Sequence, residues 1–267
     1  MADETKASAN TITGNMLFYK QPELLNIQEH SKLGLTPLTE QPYAFLLETQ
    51  LVPITVTEFI HAAMNYPIVF AGEERSPAAV MGVKLNSNVF ITDAGEFVEG
   101  AYIPAFVRRY PFASAMNNDD PGNMMICFDR ASPMVTENSA APFFEGNELS
   151  ESTKQAVEFV KNYEAEAQGT KNFVRVMQEL DMFETQDVKV AAPKEGETVA
   201  VEQKMGTYMG ISDQKILDLA PEKLAELRDN GGLAAMYSHK MSQANWQRLL
   251  NMELIRDFKA QQNGGQA

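Results

Sequence analysis

The residue types best suited to chemistry gather near the C-terminus. His239, Ser242 and Trp246 are spaced i, i+3, i+7, so on a helix they share one face, with Tyr237 and Asn245 flanking it. An imidazole, a hydroxyl and an amide on an otherwise apolar helix can bind a polar ligand, or move a proton if His239 titrates near neutrality. The same set can instead be a self-satisfied polar cluster that fixes helix packing. A second group is Arg108-Arg109-Tyr110-Pro111-Phe112. Adjacent guanidinium groups can grip a carboxylate or phosphate through paired hydrogen bonds; the plainer reading is two salt bridges in a chain rich in carboxylates. Asp129 follows the apolar run Met124-Met125-Ile126-Cys127-Phe128, where a carboxylate either faces a cleft at a strand end or caps the next turn.

Other chemistries have less support. The three histidines, His30, His61 and His239, form no HExxH or HxD pattern, and no CxxC exists, so a zinc centre is not expected. An iron site of two histidines and one carboxylate needs fewer ligands. That leaves one enzymatic alternative: metal-dependent modification of a peptide or protein side chain, using His30 or His239 with Asp129. Cys127 lies inside an apolar run, where a thiol is usually buried and inert. No GxSxG, GxGxxG or GxxxxGK[ST] segment is present, so neither a serine nucleophile elbow nor a nucleotide cofactor is indicated. No cofactor is expected.

Composition narrows the class. The 267 residues are 44 % hydrophobic and 22 % charged, ordinary values for a globular chain able to bury a core. With 36 acidic and 22 basic residues the net charge is −14, which repels nucleic-acid phosphates and anionic lipid at long range. Nucleic acid is therefore not an expected partner, and the charge reads first as solubility. No run approaches the roughly 18 apolar residues of a membrane helix. The opening MADETKASANTITGN lacks a basic segment followed by an apolar one, and the single cysteine permits no internal disulfide. A cytoplasmic location is expected.

The elements that would position these residues read as α+β: mainly antiparallel sheet in the N-terminal half, with helices dominating the C-terminal half around one β-hairpin. Residues 1–15 and 261–267 are expected to be disordered tails around a single domain over 16–260, with a possible sub-boundary near 136–150. Leu51 to Ile54 reads as a strand. Thr55 and Glu58 have capping-box spacing for a short helix, ended by Pro67 before the strand Ile68-Val69-Phe70. Ala79 to Leu85 and Asn88 to Thr92 read as a hairpin, and Asn117 to Asn123 as a loop. Ser152 with Gln155 can cap a helix that carries Val157, Val160 and Tyr163, then Phe173, Val174, Met177 and Leu180, with Gly169 as a candidate bend. Asp187 to Ala191 and Thr198 to Gln203 form the C-terminal hairpin around Pro193-Lys194-Glu195-Gly196. Pro221 opens a helix closed by Gly231-Gly232, and a last helix is expected from Leu233 to Ala260.

Several segments together resemble one family. They are Phe18-Tyr19-Lys20 with Leu25-Asn26 and His30; Val52-Pro53-Ile54 with Glu58-Phe59; Tyr66-Pro67-Ile68-Val69-Phe70; Gly100-Ala101-Tyr102-Ile103-Pro104 with Arg108-Arg109-Tyr110-Pro111-Phe112; Cys127-Phe128-Asp129; and Tyr237-Ser238-His239 through Ser242 and Asn245. In order and spacing they are similar to the SapC family of bacterial proteins over about residues 16–255. The resemblance implies an accessory or binding protein of a surface-layer or TonB-dependent outer-membrane uptake system. Its partner would be a protein: a component of that system or its modifying enzyme. The resemblance carries over no catalytic residue set. Gly232, where a large aromatic is expected, and Phe128, where an aliphatic is usual, depart from the family pattern in packing more than in chemistry.

Overall fold

Local sequence rules account for many of the element boundaries in the computed structural model, which describes residues 17–116, 124–193 and 200–264. The expected N-terminal tail 1–15, the loop 117–123 and the hairpin turn at 194–196 lie outside them; of the expected C-terminal tail 261–267, residues 265–267 also lie outside, whereas 261–264 continue the last helix to Gly264. Thr55 and Glu58 form the capping box that their spacing suggests. It opens a 3-10 turn, Val56–Glu58, that runs directly into the helix Phe59–Ala62. Pro221 is the first residue of the helix Pro221–Asp229. Gly231, with φ +81°, takes the left-handed conformation needed between that helix and the next.

The chain divides into two units. The first comprises the segment up to Thr39 and Arg109–Asn162. Its main sheet sets Met124–Asp129 between Pro22–Leu24 and Phe112–Met116, antiparallel to both. A second small sheet sets Leu33–Leu35 between Val135–Glu137 and Ala141–Pro142. Gly34 is required there, because an added Cβ would collide with the Ala141 carbonyl. Leu33, Phe112, Phe128, Val135, Phe143 and Val160 form the core of this unit, with Phe128 and Phe143 edge-to-face at 5.1 Å.

The second unit comprises Glu40–Arg108 and the chain from Tyr163 onward. Its sheet has the order Leu51–Pro53, Ser76–Val80, Ile68–Ala71, so Ile68–Ala71 is an edge strand. Beside it stand a long hairpin, Phe183–Pro193 with Ala200–Ile211, and the helices Pro221–Asp229, Gly232–Ser242 and Asn245–Gly264. All strand ladders among the described residues are antiparallel, and helices dominate the C-terminal half, so the fold class is α+β as expected.

Several expectations need correction. The last helix does not run unbroken from Leu233 to Ala260: it is two helices, separated at 243–244. There Gln243, Ala244 and Trp246 donate to carbonyls three residues back, which tightens the chain out of α-geometry. Ser150, not Ser152, caps the long helix Glu151–Glu179 by accepting from the Thr153 N–H at 3.3 Å, and that helix continues through Gly169. The hairpin expected from 79–85 and 88–92 lies earlier, between Ile68–Ala71 and Ser76–Val80. The C-terminal hairpin is longer than its alternating core, because pairing continues to Phe183 opposite Ile211.

Candidate functional site

The helix break fixes what the C-terminal polar residues do. His239 and Ser242 are fully buried, Asn245 and Trp246 are half-buried, and Tyr237 points to solvent. Ser242 Oγ accepts the Ile68 N–H at 3.0 Å and donates to the His239 carbonyl at 2.5 Å. The Gln243 amide donates to the Ile68 carbonyl at 2.8 Å, while its oxygen accepts from Trp246 Nε1 at 2.9 Å. Asn245 donates to the carbonyls of Ala63 at 2.7 Å and Tyr66 at 3.2 Å. The outward N–H and C=O of an edge-strand residue, together with carbonyls at the end of the helix Phe59–Ala62, are thus satisfied by side chains.

His239 completes this clamp on the hairpin. Its Nε2 accepts the Ile211 N–H at 3.1 Å. A ring nitrogen that accepts carries no proton, so the neutral ring keeps its hydrogen on Nδ1, which lies 3.3 Å from the Gln243 amide nitrogen. Burial pushes His239 down to about 4, only partly offset by the Ile68 hydrogen bond and the Asp213 charge. A protonated ring would set two N–H groups against each other at Ile211. His239 therefore works as a neutral structural acceptor near neutral pH, with both ring nitrogens engaged.

Sequence reasoning missed Gln243. Its i+4 spacing from His239 was a usable signal, but an amide at a helix end has no distinguishing pattern. Gln247 repeats the device, accepting the Ala191 N–H at 2.7 Å and donating to the Ala191 carbonyl at 3.1 Å on the hairpin.

In the first unit Asp129 is fully buried. Its carboxylate accepts the backbone N–H groups of Gln21 at 2.8 Å, Lys20 at 3.2 Å and Ala131 at 3.2 Å, and the Tyr110 hydroxyl at 3.0 Å. These are the bonds of a cap: the carboxylate closes the turn after its own strand and ties down the 20–21 segment. Burial pushes Tyr110 up to about 12, opposed by a hydrogen bond with Ser132 and assisted by the Asp129 charge. Tyr19, which donates to the Phe112 carbonyl at 2.7 Å, is likewise raised by burial, against the pull of the neighbouring Arg109. Phe18 and Tyr19 pack on Tyr110 with ring centroids 5.7 and 5.3 Å away.

The two arginines have different surroundings. Arg109 is buried and interacts with Tyr19. Arg108 is exposed and donates through Nε to the Ile103 carbonyl at 3.0 Å. Two further buried carboxylates escaped the sequence reading as candidates. Glu58 accepts from the Thr55 N–H at 2.9 Å, the Tyr102 hydroxyl at 2.9 Å and the Ala105 N–H at 2.6 Å. Glu253 accepts from the Val83 N–H at 3.1 Å and the Ser87 hydroxyl at 3.0 Å. Apart from Thr55, the N–H and O–H dipoles that balance these charges come from distant segments, which the sequence does not advertise.

Among the described residues no three His, Cys, Asp or Glu side chains converge to hold a metal ion. His30 accepts the Asn26 N–H on Nδ1 at 3.1 Å and meets Glu23 through Nε2 at 3.3 Å. Cys127 is buried, donating to the Ala113 carbonyl at 3.4 Å. No described helix is long and apolar enough to cross a membrane.

These clamps tie together segments that also carry the resemblance noted from sequence: Tyr66–Phe70 with Tyr237–Asn245, and Phe18–Lys20 with Tyr110 and Asp129. No curated protein and no solved structure matches the chain. The model of one family, described as SapC, matches residues 25–249, and the chain belongs to that family.

Proposed function

We propose that this chain is a cytoplasmic binding or accessory protein that recognises a protein component of a surface-layer or TonB-dependent outer-membrane uptake system, or the enzyme that modifies such a component. Family membership supports the reading, through what the resemblance to SapC proteins implies. The observation that carries the non-catalytic part is the use of His239, Ser242, Asn245 and Asp129. Each is bonded to backbone groups of its own unit, and His239 is held neutral by burial. A general base needs its acceptor nitrogen turned toward a substrate proton; here that nitrogen holds Ile211.

The test is affinity capture of the tagged full chain from native bacterial lysate, with bound proteins identified by mass spectrometry against an untagged control. Enrichment of an outer-membrane receptor, a surface-layer protein or its modifying enzyme is expected. Recovery of none of these overturns the assignment to such a system.

A further inference from the structure

Four solvent-facing apolar side chains of the second unit sit on two helices that pack against each other: Phe59–Ala62 with the turn after it, and Gly232–Ser242. Ile60 and Met64, four residues apart, are 64 % and 65 % exposed; Tyr237 and Met241, also four apart, are 44 % and 72 % exposed. Ala234, Tyr237, Ser238 and Met241 follow i, i+3, i+4, i+7 spacing and so share one helix face. Ile60 borders the same cleft as Ala234 and Ser238, which brings the two pairs together in one patch. On a surface helix these outward positions are ordinarily polar, and a contiguous apolar patch marks a place of contact.

The charge at its edge says what would cover it. Arg248 stands beside Met64: its Nη1 lies 3.5 Å from the Met64 carbonyl, and its guanidinium carbon is 5.8 Å from the centre of the Phe90 ring. It is exposed, and among the described residues no carboxylate lies within ion-pair distance of it, in a chain with 36 acidic and 22 basic residues. Lys240, next to Met241, is by contrast paired with Asp213 at 2.7 Å. The contacts with Met64 and Phe90 hold the guanidinium at the patch edge and leave N–H groups to meet a carboxylate in paired geometry. His61, exposed between Ile60 and Met64 in the chain, stacks on Tyr102 at 5.5 Å, and its ring nitrogens have no hydrogen-bond partner among the described residues. Glu166, which shares the cleft with Ile60, is turned to the hydroxyls of Thr57 and Thr55. The Met64 end of the patch therefore offers donors and a positive charge.

We propose that this patch is a docking surface for an acidic, apolar segment of a partner protein, whose apolar side chains cover Ile60, Met64, Tyr237 and Met241 and whose carboxylate pairs with Arg248. Unbranched thioethers adapt to the shape of what covers them, and the ion pair fixes orientation. The inference takes from the proposed function only that the partner is a protein; the identity of the larger system does not enter it.

Fluorescence polarisation on the full chain tests it. The probes are two fluorescein-labelled peptides with the same leucine and phenylalanine residues, one carrying glutamate and the other lysine at the charged positions. The net charge of −14 favours the lysine peptide at any non-specific site. The patch requires the opposite order: the glutamate peptide should bind more tightly by about two- to fivefold, and Arg248→Gln should remove that preference. Met64→Ser combined with Met241→Ser should weaken binding by about tenfold or more and leave the thermal midpoint nearly unchanged, since both side chains face solvent. Absence of binding, equal or tighter binding of the lysine peptide, or unchanged binding to the double serine variant would overturn the proposal. So would sedimentation showing a dimer that the double variant dissociates, since the occupant would then be a second copy. Binding to phosphatidylglycerol vesicles that the double variant loses would overturn it too, the occupant then being a lipid surface. A failed lysate capture leaves this test intact, so the two readings can fail separately.

Discussion

The Nε2 of His239 accepts the backbone N–H of Ile211 at 3.1 Å, joining a helix to the last residue of a hairpin strand. The bond exists only while the ring is neutral. Burial holds the folded-state value near 4, below the ordinary 6.5. Between these values the unfolded chain binds a proton that the folded chain refuses. The contribution is complete above the unfolded value and is lost as pH falls toward the folded one. Urea denaturation of wild type and His239→Leu at about pH 7.5 and about pH 4.5 should show the gap between them shrinking by roughly 2–3 kcal/mol in acid. A constant gap would show that His239 does not titrate in this way.

Ser242→Ala strands the Ile68 N–H in a buried position. The expected loss is about 1–3 kcal/mol in denaturant titration. Tyr237, exposed on the same helix, should tolerate alanine to within about 0.5 kcal/mol.

Asp129→Asn keeps the shape but places an amide N–H₂ among the four donors Lys20, Gln21, Ala131 and Tyr110. It should cost about 3 kcal/mol of stability. Arg108→Ala, at an exposed position, should cost about 0.5 kcal/mol or less. Comparable losses in both variants would contradict the different roles assigned to Asp129 and Arg108.

Gly169→Ala should raise stability by up to about 1 kcal/mol, because the new methyl group meets no neighbour and the unfolded chain loses freedom. Differential scanning calorimetry reads this as a higher midpoint; a fall would mean the position is sterically closed.

What the sequence made legible was local. Thr55 and Glu58 are three residues apart, and both halves of their capping box are visible in the chain. Pro221 and Gly231 carry their own conformational preferences. The shared face of His239 and Ser242 follows from helical spacing. The partners on that face were not legible: Ile68 lies 174 positions from Ser242, and it contributes backbone groups that every residue carries. Glu58 shows the same division. Its bond to Thr55 follows from spacing, whereas its bonds to Tyr102 and Ala105 depend on a chain return 44 to 47 residues later. The break at 243–244 was hidden for the same reason. Ser242, Gln243 and Asn245 bond to segments far away in sequence, and nothing in their own helical propensity marks a stop.

The most direct test of the claim that these polar groups hold backbone together is the ring-nitrogen NMR spectrum of His239 followed from neutral pH into acid. The expected result is a neutral ring, protonated on Nδ1, that resists protonation until about pH 4, with the Ile68 and Ile211 amides strongly protected from hydrogen exchange. A ring that titrates near its ordinary 6.5, with those amides exchanging freely, would contradict it.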